Sequence, residues 1–224
     1  MIMSENEFIQ HWNYFCSLAK RLEETKDYVY HGNDENDDIE INLVHANVYS
    51  DAFKQIIIMG AAEFEIMTRK ICAFHGKTPR NIVGISEVIL ENYPEIIKTE
   101  VATLFWQSMP LKNWGLTNGN KEKRVKGLSW WDAYSSIKHD EEASYKTATL
   151  ENAVFSLASL YIMDLYAMYL QYKNLEVLYH CPPVYFRCKY EPTNVYAAEG
   201  RLPDFGDKSA GDIFKEMIDE EFGV

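Results

Sequence analysis

A short segment, Trp130–Asp140, carries the side chains that could most readily do chemistry in this chain. It ends in Ile-Lys-His-Asp, so that Lys138 and His139 are neighbours. An imidazole has the ordinary pKa that best suits proton transfer near neutral pH, and a lysine ammonium attracts anions such as phosphate. On a helix, Ser135 lies one turn before His139, and Tyr134 lies one turn before Lys138. These four residues are therefore the candidate catalytic residues.

The neighbouring chain supplies a helix to hold this segment and a source of positive charge. Ser129 is a residue type that begins helices, and the pattern extends the helix to about residue 142. Before it, residues 109–127 contain one proline and three glycines, which predicts a loop. Between residues 112 and 126 this loop has five basic residues and one acid, a net of +4. The candidate anion-binding residues of this loop are Lys121, Lys123, Arg124 and Lys126.

Elsewhere, apolar residues recur at three- and four-residue steps, which predicts an all-α protein. Ser4 and Glu7 fit a capping box at the start of the first helix. The two longest apolar stripes each need a covering surface, so their helices should pack lengthwise against each other. The predicted helices cover residues 4–26, 44–74, 86–92, 94–106 and 145–174. The two helices expected to pack against each other are those over residues 44–74 and 145–174.

The chain after residue 180 differs from the helical part. Its prolines exclude helix, and its β-branched and aromatic residues predict a short extended segment. An acidic stretch follows, with one short helix near residues 210–221. We therefore expect a helical bundle domain over residues 1–180 and an extended, acidic C-terminal tail over residues 181–224, packing on the bundle or trailing from it.

The string Tyr-Ser-Ser-Ile-Lys-His-Asp before a long final helix resembles the second half of the HEPN domain family. The segment from Gly60 to Cys72 is similar to the family's earlier long helix, and the resemblance covers about residues 44–175. It implies a HEPN-like helical bundle, here with an extra N-terminal helix. Active family members are metal-independent ribonucleases, and many relatives are of toxin or antiviral-defence type. They act as dimers that place an Arg and a His, four to six residues apart on one helix, around single-stranded RNA.

The resemblance assigns the family's His to His139 and leaves its Arg without a counterpart. The positions for that Arg are Asp132, Ala133 and Tyr134, so Lys138 or the basic loop would have to supply the positive charge. Three functions remain open. In the first, the chain is an RNA-cleaving homodimer whose two-fold axis lies near Trp130–Asp140. Alternatively, it is a catalytically inactive HEPN-like module that binds RNA, a nucleotide or a protein partner, or it is an unrelated structural bundle.

Composition limits the other classes of function. The net charge of −12 argues against a protein that coats nucleic acid non-specifically, because that requires clustered Lys and Arg. The four cysteines form no zinc-binding spacing, and we expect no cofactor or metal. The N-terminus shows no secretory signal, and we expect no run to approach the ~20 apolar residues of a membrane span. These features predict a cytoplasmic protein without a membrane partner.

Overall fold

Helices dominate the part of the chain that can be described. The computed structural model describes residues 2–32, 43–102, 107–118, 123–139, 142–172 and 186–188. Its helices are α1 (Glu5–Glu24), α2 (Asp51–Phe74), α3 (Ile82–Asn92), α4 (Ser129–Lys138) and α5 (Leu150–Tyr172). Its strands are β1 (Val101–Ala102), β2 (Gln107–Ser108), β3 (Gly115–Asn118), β4 (Lys123–Lys126) and β5 (Arg187–Cys188). The protein is therefore mostly helical, as its sequence predicts.

Serine side chains fix the starts of the first two helices. The Ser4 hydroxyl accepts a hydrogen bond from the Glu7 N–H (3.2 Å), as the predicted cap requires. The Ser50 hydroxyl accepts one from the Phe53 N–H (3.2 Å), so α2 begins directly after this serine. Each bond satisfies a backbone donor that has no partner within its own helix. The predicted start of the second helix was therefore about seven residues too early.

The other helix predictions are also wrong in part. The helix predicted over 86–92 begins at Ile82, and the helix predicted to reach about residue 142 ends at Lys138. The segment predicted as helix 94–106 begins with a short 3₁₀ turn at Pro94–Lys98 and then enters β1. The last helix starts at Leu150, because the Thr149 hydroxyl accepts a hydrogen bond from the Asn152 N–H (3.2 Å) and caps it. A separate 3₁₀ turn, Glu142–Thr147, precedes this cap.

Helices α2 and α5 form the centre of the bundle and run in the same direction. They start side by side, since the Ser50 N–H donates to the Ala148 carbonyl (3.2 Å). Halfway along, Gly60 lets them approach closely: a Cβ at this position would lie 2.9 Å from the Leu157 Cδ2. This contact is the most extensive between any two described elements. The predicted lengthwise packing of these two helices is confirmed.

Helix α1 covers the α2–α5 pair and runs opposite to both. Its start lies at the end of α5, where the Ile2 N–H donates to the Gln171 Oε1 (2.8 Å). Its buried face stacks Phe15 on Tyr161, with ring centroids 5.5 Å apart. Such buried aromatic pairs contribute beyond the area that they bury. The predicted first helix is thus part of the same core.

The basic segment predicted as a loop contains a β-hairpin. Strands β3 and β4 pair antiparallel, with Gly115 opposite Lys126. The hairpin packs on α3, where the Lys123 Nζ lies 2.6 Å from the Glu87 Oε1. Just before β3, the buried Trp114 donates its indole N–H to the Ser86 hydroxyl (2.9 Å). The loop prediction is therefore wrong over both strands, although Gly127, at a φ of 80°, does form a turn.

A second small sheet joins the C-terminal segment to the bundle. Its strand order is β2-β1-β5, and all pairs are antiparallel. Phe186, just before β5, is fully buried, with its ring 6.0 Å from that of Phe15. The predicted extended segment therefore packs on the bundle at residues 186–188. The acidic tail and its predicted helix, near residues 210–221, lie outside the described residues.

The segment Leu150–Gln171 is, by length and composition alone, apolar enough to cross a membrane. Its most apolar window has a mean hydropathy of 1.5, but 94% of that window is buried inside the fold. A soluble helix at the centre of a bundle is also apolar on all sides, because each of its faces is buried inside the fold. The expectation that no segment reaches this apolarity is therefore wrong for α5, although its surface is covered by other helices.

Candidate functional site

Helix α4 is fixed to the core by one apolar face and presents the other to solvent. Its buried residues are Trp130, Ala133, Tyr134 and Ile137. The Trp130 ring meets the Phe64 ring of α2 edge to face, with centroids 4.9 Å apart. This contact fixes the start of the helix, and the buried Ile137 fixes its last turn. The candidate residues at its C-terminal end are thus held by packing along the whole helix.

Lys138 and Tyr134 come together at that C-terminal end. The Lys138 Nζ lies 5.6 Å from the centroid of the Tyr134 ring, within the range of a cation–π interaction. Tyr134 is 9% exposed, whereas Lys138 is exposed. The ring therefore orients the ammonium at the surface. This is the pairing that helical spacing predicts.

His139 follows α4 directly and is exposed to solvent. Its backbone N–H donates to the Ser135 carbonyl (3.2 Å), which ties the residue to the last turn of the helix. Ser135 is half-buried. The predicted pair of Ser135 and His139 is thus joined through the backbone. The exposed imidazole is available to a ligand.

The three positions where the HEPN family places its Arg hold no cation in this structure. Ala133 and Tyr134 face the core, and Asp132 is exposed. Partial burial raises the pKa of the Asp132 carboxyl. Lys138 is accordingly the cation that α4 itself offers beside His139.

The basic candidates lie at the other end of α4. Strand β4 leads into the start of the helix, and the 10 residues of α4 span about 15 Å. Arg124 and Lys126 are exposed there, while Lys123 is paired with Glu87. Lys121 lies outside the described residues. The fold thus separates this basic hairpin from His139 by the length of a helix.

A buried polar cluster at the α1–α2–α5 junction escaped the sequence analysis. His11 of α1 contacts the Glu63 carboxylate of α2 through its Nδ1. Asp164 of α5 is 1% exposed and, within the described chain, has no hydrogen-bond partner at either carboxyl oxygen. Burial, reinforced by the charge of Glu63, raises the pKa of Asp164 well above its ordinary value. Tyr14 also has a raised pKa, from burial and then from the same carboxylate.

One sequence signal could have indicated part of this cluster. Asp164 is an acid within a long apolar helix, and acids are rarely buried without a partner. His11 and Glu63 gave no comparable signal, because their contact joins residues 52 positions apart. Among the described residues, no group of three His, Cys, Asp or Glu side chains could hold a metal ion.

The C-terminal end of α4 therefore offers an exposed imidazole, an oriented ammonium and a half-buried hydroxyl. These groups can move a proton and neutralise a phosphate. The chain matches no family model, no curated protein and no solved structure. Its function must be inferred from these residues.

Proposed function

We propose that this protein is a homodimer of HEPN-like bundles that binds single-stranded RNA at the C-terminal end of α4 and cleaves it without a metal ion. The observation that carries the proposal is the placement of His139, exposed and tied to the helix end, beside Lys138. A residue that served only the core would be buried. We place the protein in the cytoplasm, where RNA is present, without a membrane partner.

The chemistry that these groups support is attack by a ribose 2′-hydroxyl on the adjacent phosphorus. His139 takes the proton of the 2′-hydroxyl as the 2′-oxygen bonds to phosphorus. The bond from phosphorus to the 5′-oxygen breaks, and His139 of the second copy returns a proton to that oxygen. The products are a 2′,3′-cyclic phosphate and a free 5′-hydroxyl. Lys138 stabilises the negative charge that develops on the phosphate oxygens.

The second candidate is an RNA-binding protein that does not cleave. It is favoured by the absence of a cation at Asp132, Ala133 and Tyr134, where active relatives of the HEPN type would carry Arg. The same exposed surface would then hold the strand through Lys138 and the basic hairpin. The two candidates differ in one observable: whether bound RNA is cut.

The deciding experiment incubates the purified protein with a mixed single-stranded RNA pool in excess chelator. His139→Ala should lower the cleavage rate by at least about 100-fold, the contribution expected of a general acid–base. His45→Ala is the matched control, because this histidine is also exposed but lies outside α4, in the segment before α2. Its rate should equal that of the parent.

Three results separate the candidates. Cleavage that survives His139→Ala would come from another group or a contaminant and would refute the catalytic assignment. RNA binding without cleavage would establish the second candidate. A monomer at micromolar concentration, measured by sedimentation with RNA present, would refute the shared site, since one chain offers a single copy of His139.

A further inference from the structure

A cleft at the base of the hairpin brings two lysines together outside the proposed catalytic end of α4. It has a volume of about 480 Å³ and is open to solvent. Its lining residues come from the turn before β3 and from the end of β4: Lys112, Asn113, Trp114, Lys126 and Gly127. No acid is in this set, on a chain whose net charge is −12.

Two glycines give the cleft its shape. Gly127 has a φ of 80°, and a Cβ there would lie 1.8 Å from the Asn113 carbonyl oxygen, so only glycine allows these two segments to touch. Gly115 stands opposite Lys126 in the hairpin register. A Cβ at Gly115 would lie 3.1 Å from the Lys126 Cε, so the lysine chain lies across the space that glycine leaves. The position of the Lys126 ammonium therefore depends on Gly115.

The floor of the cleft is rigid. Trp114 is 3% exposed, and its indole N–H is held by the Ser86 hydroxyl of α3 at 2.9 Å. The neighbouring Lys123 is paired with Glu87 of α3, outside the cleft. Lys112 and Lys126, both exposed, are the two basic residues that line the open volume. A fixed floor with two ammonium groups and a side-chain amide at its rim suits a phosphate group.

We propose that this cleft is a phosphate-binding subsite, which holds a backbone phosphate of the strand whose reactive bond lies at His139. The assignment to RNA rests on the proposed function, whereas binding of phosphate itself does not. The subsite lies beside the start of α4 and His139 follows its end, and the 10 residues of this helix span about 15 Å. At about 3.4 Å per stacked nucleotide, a strand needs about five nucleotides to reach both.

The first test uses inorganic phosphate as the probe and the Trp114 indole N–H resonance as the reporter. A saturable shift of this resonance is expected in the parent protein. Lys126→Gln should weaken the affinity by about tenfold. Gly115→Ala should also weaken it severalfold, because the added Cβ displaces the lysine chain while the net charge is unchanged. Lys77→Gln, at another exposed lysine, should leave it unaltered.

The shape of this response decides whether a built site exists. A shift that does not saturate would show only general attraction and would overturn the subsite. Equal weakening by Lys126→Gln and Lys77→Gln would do the same. The Gly115→Ala variant adds an independent test. If it binds inorganic phosphate as tightly as the parent does, the placement of Lys126 does not matter for binding.

The second test compares an eight-nucleotide RNA with a dinucleotide in the full protein. Lys126→Gln should weaken the longer strand by about tenfold, leave the dinucleotide unchanged, and reduce the slope of log affinity against log salt by about 0.7. If Lys126→Gln binds the longer strand as tightly as the parent does, RNA does not occupy the subsite, even where inorganic phosphate binds there. A different pair of results would refute the catalytic proposal and keep the subsite. In that case Lys126→Gln loses binding of the longer strand, and His139→Ala cleaves RNA as fast as the parent.

Discussion

Replacing Asp164 with asparagine should stabilise the protein, and the gain should grow with pH. The side chain is 1% exposed, and its two oxygens lack hydrogen-bond partners in the described chain. Burial, together with the nearby charge of Glu63, raises the pKa of this carboxyl well above its ordinary value of 3.8. The folded protein therefore keeps Asp164 protonated over a pH range in which the unfolded chain is ionised.

The sign and size of the effect follow from proton linkage. Because the folded pKa is higher than the unfolded one, the contribution of Asp164 to stability is fully present below pH 3.8 and is lost as the pH rises towards the folded pKa. Within that window each pH unit removes about 1.4 kcal/mol from the free energy of unfolding. Asparagine does not titrate. Between pH 5 and 7, the advantage of Asp164→Asn should therefore widen by up to about 2.7 kcal/mol.

Urea unfolding at pH 5, 6 and 7 measures this difference directly. Other titrating groups cancel, because parent and variant share them. Asp27→Asn, at an exposed aspartate, is the control, and its difference from the parent should stay constant across the three pH values. A constant difference for Asp164→Asn, or a variant less stable than the parent at pH 7, would show that the buried carboxyl is ionised in the folded state.

Two further perturbations test the bundle. His31 is buried with its Nε2 2.8 Å from the Thr25 hydroxyl, and burial, then Lys26, lowers its pKa to about 4. A lowered folded pKa adds stability above pH 6.5, and this stability is lost as the pH falls towards 4. In urea unfolding, the parent should therefore lose about 1–2 kcal/mol more of its free energy of unfolding between pH 7 and pH 5 than His31→Gln does. Gly60→Ala should cost about 1–3 kcal/mol, because the new Cβ would meet the Leu157 Cδ2 at 2.9 Å. In a Leu157→Ala background this cost should shrink by at least about 0.5 kcal/mol, and strictly additive costs in a double-mutant cycle would refute the contact.

The helices were predictable because their signals are local. An apolar residue every three or four positions marks α1, α2 and α5, and Ser4 marks the first start. The errors arose where tertiary contacts decide. Residues 44–50 continue the apolar pattern of α2, yet this stretch pairs with the segment before α5, and Ser50 then begins the helix. Periodicity cannot reveal such pairing between distant segments.

The hairpin was missed although part of its signal was present. Asn118-Gly119 is a dipeptide typical of hairpin turns, and Asn118 is the last residue of β3. However, β4 is Lys-Arg-Val-Lys, with a single apolar residue, so it lacks the alternation that identifies a strand. Its pairing with β3 and packing on α3 compensate for this composition. The basic cluster therefore has a defined shape that its sequence alone does not indicate.

The candidate site was predictable in its residues but not in its layout. Helical spacing predicts the pairing of Lys138 with Tyr134, because both belong to one short helix. The relation between His139 and the basic residues is not local, and proximity in sequence suggested a single cluster. The fold instead places α4 between them as a spacer, so one ligand can reach both ends only if it is extended.

This separation has a consequence for selectivity. A chain with a net charge of −12 repels a polyanion overall, whereas the hairpin cleft and the end of α4 each present exposed lysines. A flexible single strand can follow such a path, touching one positive site and then the next. A rigid duplex presents charge on both strands and cannot bend to follow this path between two separated sites. If RNA is the ligand, single strands should therefore bind more tightly than duplexes of equal length, with the margin largest at low salt, where repulsion is least screened.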